Sequence, residues 1–170
     1  MIDNFEQSLV YVINSEGGYS NSPADPGGCT NLGVTQRTWE DWVGHPVTEA
    51  DMRALGPEDV IALYKVRYWK AVRGDELPRG VDYAVFDIAV NSGPKRAIKI
   101  LQRVAGADVD GVIGPKTLAA AAECDPKELI LSICRARMMY LINIPEYTTF
   151  GKGWTRRVND VQTRALAMAS

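Results

Sequence analysis

The stretch S15-E-G-G-Y-S-N-S-P-A-D-P-G-G-C-T-N-L-G-V-T35 is where a helical sequence gives way to turn chemistry. Upstream of it, Ile2, Phe5, Leu9, Val12 and Ile13 recur at helical spacing, which predicts a helix over residues 2–15 that Gly17-Gly18 terminates. At about 100° per residue, Glu16 falls in the middle of that apolar stripe. Downstream, Ser20, Asn21, Ser22, Pro23, Asp25, Pro26, Gly27 and Gly28 are turn formers. They predict a structured loop with a short β-hairpin ending in Leu32-Gly33-Val34.

Beyond the hairpin the punctuation is helical. Thr35 is placed to N-cap a helix through Trp39 and Trp42, and Thr48 to cap a short one ending at Leu55-Gly56. Pro57 stands at a first helical position, with Ile61, Tyr64 and Tyr68 on one stripe ending near Ala71. Val81–Asn91 reads as a mostly buried helix, and Pro94 opens another that Gly106 closes. Pro115 and Pro126 each start a further helix, and the last is expected over Trp154–Ala169. The expected class is therefore mainly α, a helical bundle with a small loop and β-hairpin lobe after the first helix. The mildest boundary falls at Asn91-Ser92-Gly93-Pro94, which divides the chain into 1–92 and 93–170, two halves expected to share one compact domain.

Bulk composition narrows the function classes. The 170 residues are 46% hydrophobic and carry a net charge of −2, so no field favours nucleic acid. Arg135, Arg137, Lys152, Arg156, Arg157 and Arg164 make the last stretch locally basic, which suits an anionic polymer as well as ordinary solvated helix faces. The N-terminus has neither the basic start nor the apolar stretch of a signal peptide, and no run approaches the roughly 20 apolar residues of a membrane span. The chain is expected to be made in the cytoplasm, without stable membrane insertion, as a monomer. If its substrate lies outside the cytoplasmic membrane, something else must let the chain out. Three unevenly spaced cysteines, Cys29, Cys124 and Cys134, read as free thiols.

Glu16 carries the chemistry. A carboxyl on an apolar stripe and at the electronegative end of a helix is pushed towards its protonated form. A carboxylic acid that keeps its proton near neutral pH is what a glycosidic leaving oxygen requires. Tyr19 follows, and sugar rings stack on aromatic faces. Asp25 lies nine residues after Glu16 between Pro23 and Pro26, and a second carboxylate across a cleft completes a glycosidase pair. Tyr64, Tyr68, Trp69 and Tyr83 can supply further sugar platforms, although aromatics at helical spacing more often belong to a core.

The 15–35 segment resembles the signature of glycoside hydrolase family 108, found in phage endolysins and bacterial muramidases. Y64-K-V-R-Y-W69, D82-Y-A-V-F-D-I-A-V-N-S-G-P94 and D110-G-V-I-G-P-K-T117 extend it over most of the chain, the last resembling the family's peptidoglycan-binding half. The resemblance implies a lysozyme-like fold, Glu16 as catalytic acid, and peptidoglycan glycan strands as partner. It also implies that Asp87 and Asn91, four apart on one helix face, line the cleft. The Glu16–Asp25 spacing is similar to that of tailed-phage lysozymes, which carry a Thr six residues after the Asp. Here that position is Asn31, flanked by Thr30 and followed by Thr35, so all three are candidates to bind substrate or position water.

Other chemistries fit poorly. Gly28–Gly33 has the outer spacing of a phosphate loop but no Lys-Ser/Thr follows. Asp108-Val-Asp110-Gly lacks the remaining ligands of a calcium loop and reads as a turn. A single histidine, His45, disfavours zinc amidases and Ser-His-Asp hydrolases, and as base for Cys29 it makes a weak peptidase pair. No metal or organic cofactor is implied. The expected activity is hydrolysis of the β-1,4 bond between N-acetylmuramic acid and N-acetylglucosamine. The rivals are a lytic transglycosylase and a non-catalytic cell-wall-binding or secretion-assisting module.

Overall fold

The computed structural model describes residues 4–23 and 26–170. Nine α-helices and one two-stranded sheet follow one another among these residues. They are α1 (Asn4–Glu16), β1 (Thr30–Asn31), β2 (Val34–Thr35), α2 (Gln36–Val43), α3 (Glu49–Arg53), α4 (Pro57–Tyr64), α5 (Val81–Ser92), α6 (Pro94–Ala105), α7 (Pro115–Glu123), α8 (Pro126–Ile142) and α9 (Tyr147–Met168). The mainly helical class with a small hairpin lobe after the first helix holds. No helix among the described residues is long and apolar enough to cross a membrane.

The chain divides into two compact units, Met1–Ser8 with Arg67–Ser170, and Leu9–Val66. The larger unit is built around α5, whose residues from Val81 to Ala89 are all buried. Helices α6, α8 and α9 pack on it. The chain can enter α5 where it does because Gly80 has no side chain: a methyl there would stand 3.0 Å from Ile130 Cδ1 and closer still to the Ala165 carbonyl. Phe5, Trp69 and Phe86 form a triangle of tilted and edge-on rings with centroids 5.4–6.0 Å apart, a geometry favoured by the ring quadrupole. The sequence boundary at 92/93 thus runs through the larger unit, between α5 and the α6 that packs on it.

The proline and threonine signals sit where they were expected. Pro57, Pro94, Pro115 and Pro126 each open a helix, and Thr35 and Thr48 cap theirs. The D110-G turn is also confirmed as a turn. Buried Gln102 organises it, donating to Asp110 Oδ1, Val112 O and Thr117 Oγ1 and accepting from the Gly111 amide.

Two elements differ from the sequence reading. The helix from Pro57 does not continue as an α-helix; a π turn spans Lys65–Trp69. The wider turn slips the phase by one residue, so Trp69 rather than Tyr68 is fully buried. The last helix begins at Tyr147, seven residues before Trp154. Tyr147 lies against Gly151 and its hydroxyl meets Thr155 Oγ1 at 3.2 Å, tying the extra turns together.

The three cysteines are free thiols, Cys29 and Cys134 buried and Cys124 half-buried. Burial pushes the Cys134 thiol up to about 11.

Candidate active site

Glu16 is the last residue of α1, and the Gly17 amide bonds the Ile13 carbonyl at 3.1 Å as the helix closes. Phe5, Leu9 and Val12 on the same stripe are buried, and Glu16 at its end is half-buried. Its stem lies against the hairpin. A methyl on Gly33 would stand 2.7 Å from Glu16 Cγ and 2.8 Å from Cβ.

The hairpin pairs Thr30 with Thr35 and Asn31 with Val34, leaving a two-residue loop at Leu32-Gly33. Both loop residues have positive φ, 51° and 78°. This is the turn whose twist matches antiparallel strands, and it normally takes Asn or Gly first. A leucine there costs roughly 1–2 kcal/mol. Tyr64 helps to hold it by donating its hydroxyl to the Leu32 carbonyl at 2.8 Å. The space beside the acid is therefore set by a strained turn, a glycine without side chain and a buried phenol. Strain of this sort gathers at functional sites.

The loop before the hairpin is pinned at its ends. Ser20 and Thr30 exchange both backbone hydrogen bonds at 2.8 Å. Asp25, the expected second carboxylate, lies outside the described residues. Tyr19 is fixed from the other side of the same unit. Its hydroxyl donates to Glu49 Oε1 at 2.5 Å, and the Arg53 guanidinium sits 4.1 Å from its ring centroid. Arg53 also bridges to Glu49 at 2.9 Å. Desolvation first, and the Glu49 hydrogen bond second, push the Tyr19 phenol up to about 12, so it stays a neutral donor across the physiological range. The Tyr19 bond and Arg53 hold the Glu49 carboxyl below the usual carboxylate range. Glu49 and Arg53 were not among the sequence candidates. Their i, i+4 spacing reads as an ordinary surface pair, and nothing local links them to Tyr19 thirty positions away.

Several sequence candidates have other duties. Asn31 is buried and donates its amide to the Met52 and Leu55 carbonyls at 2.8 and 3.3 Å, closing the C-terminal end of α3. Thr35 spends its hydroxyl on Thr38, accepting from the amide at 3.2 Å and donating to the other hydroxyl at 2.9 Å. Thr30 is half-buried and paired through its backbone. Tyr64, Trp69 and Tyr83 are fully buried and offer no ring face to a sugar; of the four aromatic candidates Tyr68 keeps partial exposure. Trp69 donates its indole N–H to Asp75 at 2.8 Å.

Asp87, expected to line a cleft, is fully buried in the larger unit. It accepts from Arg137 Nη1 at 2.7 Å and from Arg157 Nη2 at 3.0 Å. Burial disfavours its charge, but the two guanidinium groups outweigh that and hold its carboxyl below the usual range. Exposed Asn91 accepts from Arg137 Nη2 at 3.2 Å. This cluster joins α5, α8 and α9 and is a structural tie.

Residues 9–93 match the family model described as Glycosyl hydrolase 108, and residues 96–159 match one described as Predicted Peptidoglycan domain. No curated protein matches the chain. Among solved structures, SagA of Brucella abortus is similar, with 46% identity, a TM-score of 0.87, and coverage of 97% of this chain and 95% of that one. The half-buried acid at the end of α1, the glycine-based hairpin against it, and these matches over both segments place the chain in the Glycosyl hydrolase 108 family, as a glycosyl hydrolase that acts on peptidoglycan.

Proposed function

We propose that the enzyme is a muramidase that hydrolyses the β-1,4 bond between N-acetylmuramic acid and N-acetylglucosamine, with Glu16 as the general acid. The supporting observation is the seat of Glu16: its stem lies across Gly33 at the hairpin turn, which leaves the carboxyl on a half-buried, pre-formed edge. Protonating the leaving oxygen from such a position needs no rearrangement of the acid's own backbone. Asp25 is assigned as the second carboxylate on its sequence position alone; it stabilises the positive charge that develops on the sugar or activates water. Tyr19, kept neutral and anchored by Glu49, is assigned as one wall for the substrate. Action at the cell wall, reached through a holin or another export route, belongs to the same reading.

Incubation with purified sacculi tests it. The parent chain is expected to release fragments with new reducing N-acetylmuramic acid ends, seen by mass spectrometry after borohydride labelling. Glu16→Gln is expected to lower the rate by at least about 100-fold, the lower end of what a general acid contributes, with an unchanged melting temperature. Undiminished release by Glu16→Gln would refute the acid assignment. Anhydro-muramic ends would show a transglycosylase instead.

A further inference from the structure

Arg53 is the last residue of α3, and its guanidinium carbon stands 4.1 Å from the centroid of the Tyr19 ring. Tyr19 follows the acid by three positions in the chain. The guanidinium covers one face of the ring, so a sugar that stacks on Tyr19 takes the opposite face. Groups that hang from the edge of such a sugar come within a side chain's reach of the cation.

The neighbours of Arg53 use only part of it. Glu49 Oε1 accepts both the Tyr19 hydroxyl at 2.5 Å and Arg53 Nη2 at 2.9 Å. The Tyr19 bond first, Arg53 next and Asn21 to a smaller extent hold that carboxyl below the usual range. The carboxylate is therefore well supplied with donors. The guanidinium is not equally supplied with acceptors. It carries several further N–H groups, and none of them has an acceptor among the described residues. The Arg53 side chain also keeps 60% of its surface exposed. Exposed pairs at this spacing contribute little to stability, so the fold does not account for the cation. Its base is firm nonetheless. The Thr48–Asp51 capping box closes the start of α3, Met52 is fully buried, and Asn31 bonds the Met52 and Leu55 carbonyls.

Peptidoglycan differs from an uncharged β-1,4-linked aminosugar polymer in its lactyl ethers and stem peptides, which bring carboxylates alongside the sugar rings. We propose that Arg53 is a specificity-determining residue: it pairs with a stem-peptide carboxylate beside the sugar on Tyr19, and so favours the anionic glycan over a neutral one with the same backbone. This rests on the muramidase reading of the site, with Tyr19 as a wall. A brace for the Tyr19 ring would explain the stacking but not the unfilled donors.

The test compares sacculi as isolated with sacculi whose carboxyls have been capped as neutral amides by carbodiimide and ammonia. The initial release of reducing ends is measured on both. The active full chain is expected to work about tenfold faster on the uncapped sacculi, the effect of about one charge-assisted hydrogen bond. Arg53→Ala is expected to lose that preference by slowing on the uncapped sacculi alone. Arg37→Ala, which removes an exposed cation of α2, is expected to keep it. Far-UV circular dichroism confirms that each variant folds. An Arg53→Ala chain with the parent's preference intact overturns the proposal. So does equal slowing on both substrates, which would make Arg53 a brace for Tyr19. Equal loss of preference in Arg37→Ala also overturns it, because net charge alone would then be at work. Release from both substrates at one rate by the parent sinks this proposal and leaves the muramidase reading standing. No release of reducing ends from either overturns that reading and this proposal with it.

Discussion

At the scale of single residues, the hairpin turn is the most sensitive point near the acid. Gly33 cannot be enlarged, because a side chain would meet Tyr64 and the stem of Glu16 while holding φ at +78°. Gly33→Ala is expected to cost at least about 1–2 kcal/mol from the left-handed backbone alone and to reduce sacculus hydrolysis by displacing the acid. Tyr64→Phe tests the same turn more gently. It removes one hydrogen bond to the Leu32 carbonyl and is expected to cost about 1 kcal/mol in urea denaturation. A Tyr64→Phe chain as stable as the parent would show that the turn does not depend on that phenol. The half-buried place of Glu16 at the end of α1 was legible in the sequence because its signal is local: an apolar helical stripe with a carboxyl at its end, then two glycines. Glu49 and Arg53 were not, because their link to Tyr19 exists only after Ser20 pairs with Thr30 and Asn31 anchors α3.

At the scale of elements, four proline starts and two threonine caps were readable because they act within one turn of chain. The π turn at Lys65–Trp69 and the early start of α9 were not, because each is decided by a distant or tertiary partner. Trp69 is drawn into the Phe5–Phe86 cluster and bonds Asp75, and Tyr147 folds back on Gly151. The same reasoning gives a test. Gly153→Ala puts a methyl into open space within a helix, so it should raise stability by about 0.5–1 kcal/mol, seen as a higher melting temperature. A fall would mean that Gly153 answers to a contact formed by its backbone.

For the whole molecule, the buried Asp87–Arg137–Arg157 cluster decides how the larger unit responds to acid. Because the folded-state carboxyl lies below the ordinary value of about 3.9, its contribution to stability is complete above that value and declines as pH falls through the folded value. Asp82 works the other way: desolvation raises it, despite bonds from Asn4, Gly80 and Tyr83, so protonating it relieves a burden. The difference between parent and Asp87→Asn isolates the first effect. At pH 7 the variant, left with two guanidinium groups and no counter-charge, should lose about 3–5 kcal/mol, and that gap should hold down to about pH 4 and shrink as the pH falls below it. A gap that stays constant would show that Asp87 is held by packing rather than charge. The cluster also spans both matched segments, since Asp87 lies within 9–93 and Arg137 and Arg157 within 96–159. The cluster thus ties residues of both matched segments together inside the larger unit.

The cysteines carry a last consequence. With no crosslink in the fold, and with the Cys134 sulfur kept as an unreactive thiol by its burial, nothing in the architecture needs oxidising conditions to mature or reducing conditions to survive. A change of redox poise around such a fold has no disulfide to make or break. Its unfolding curve should superimpose with and without dithiothreitol.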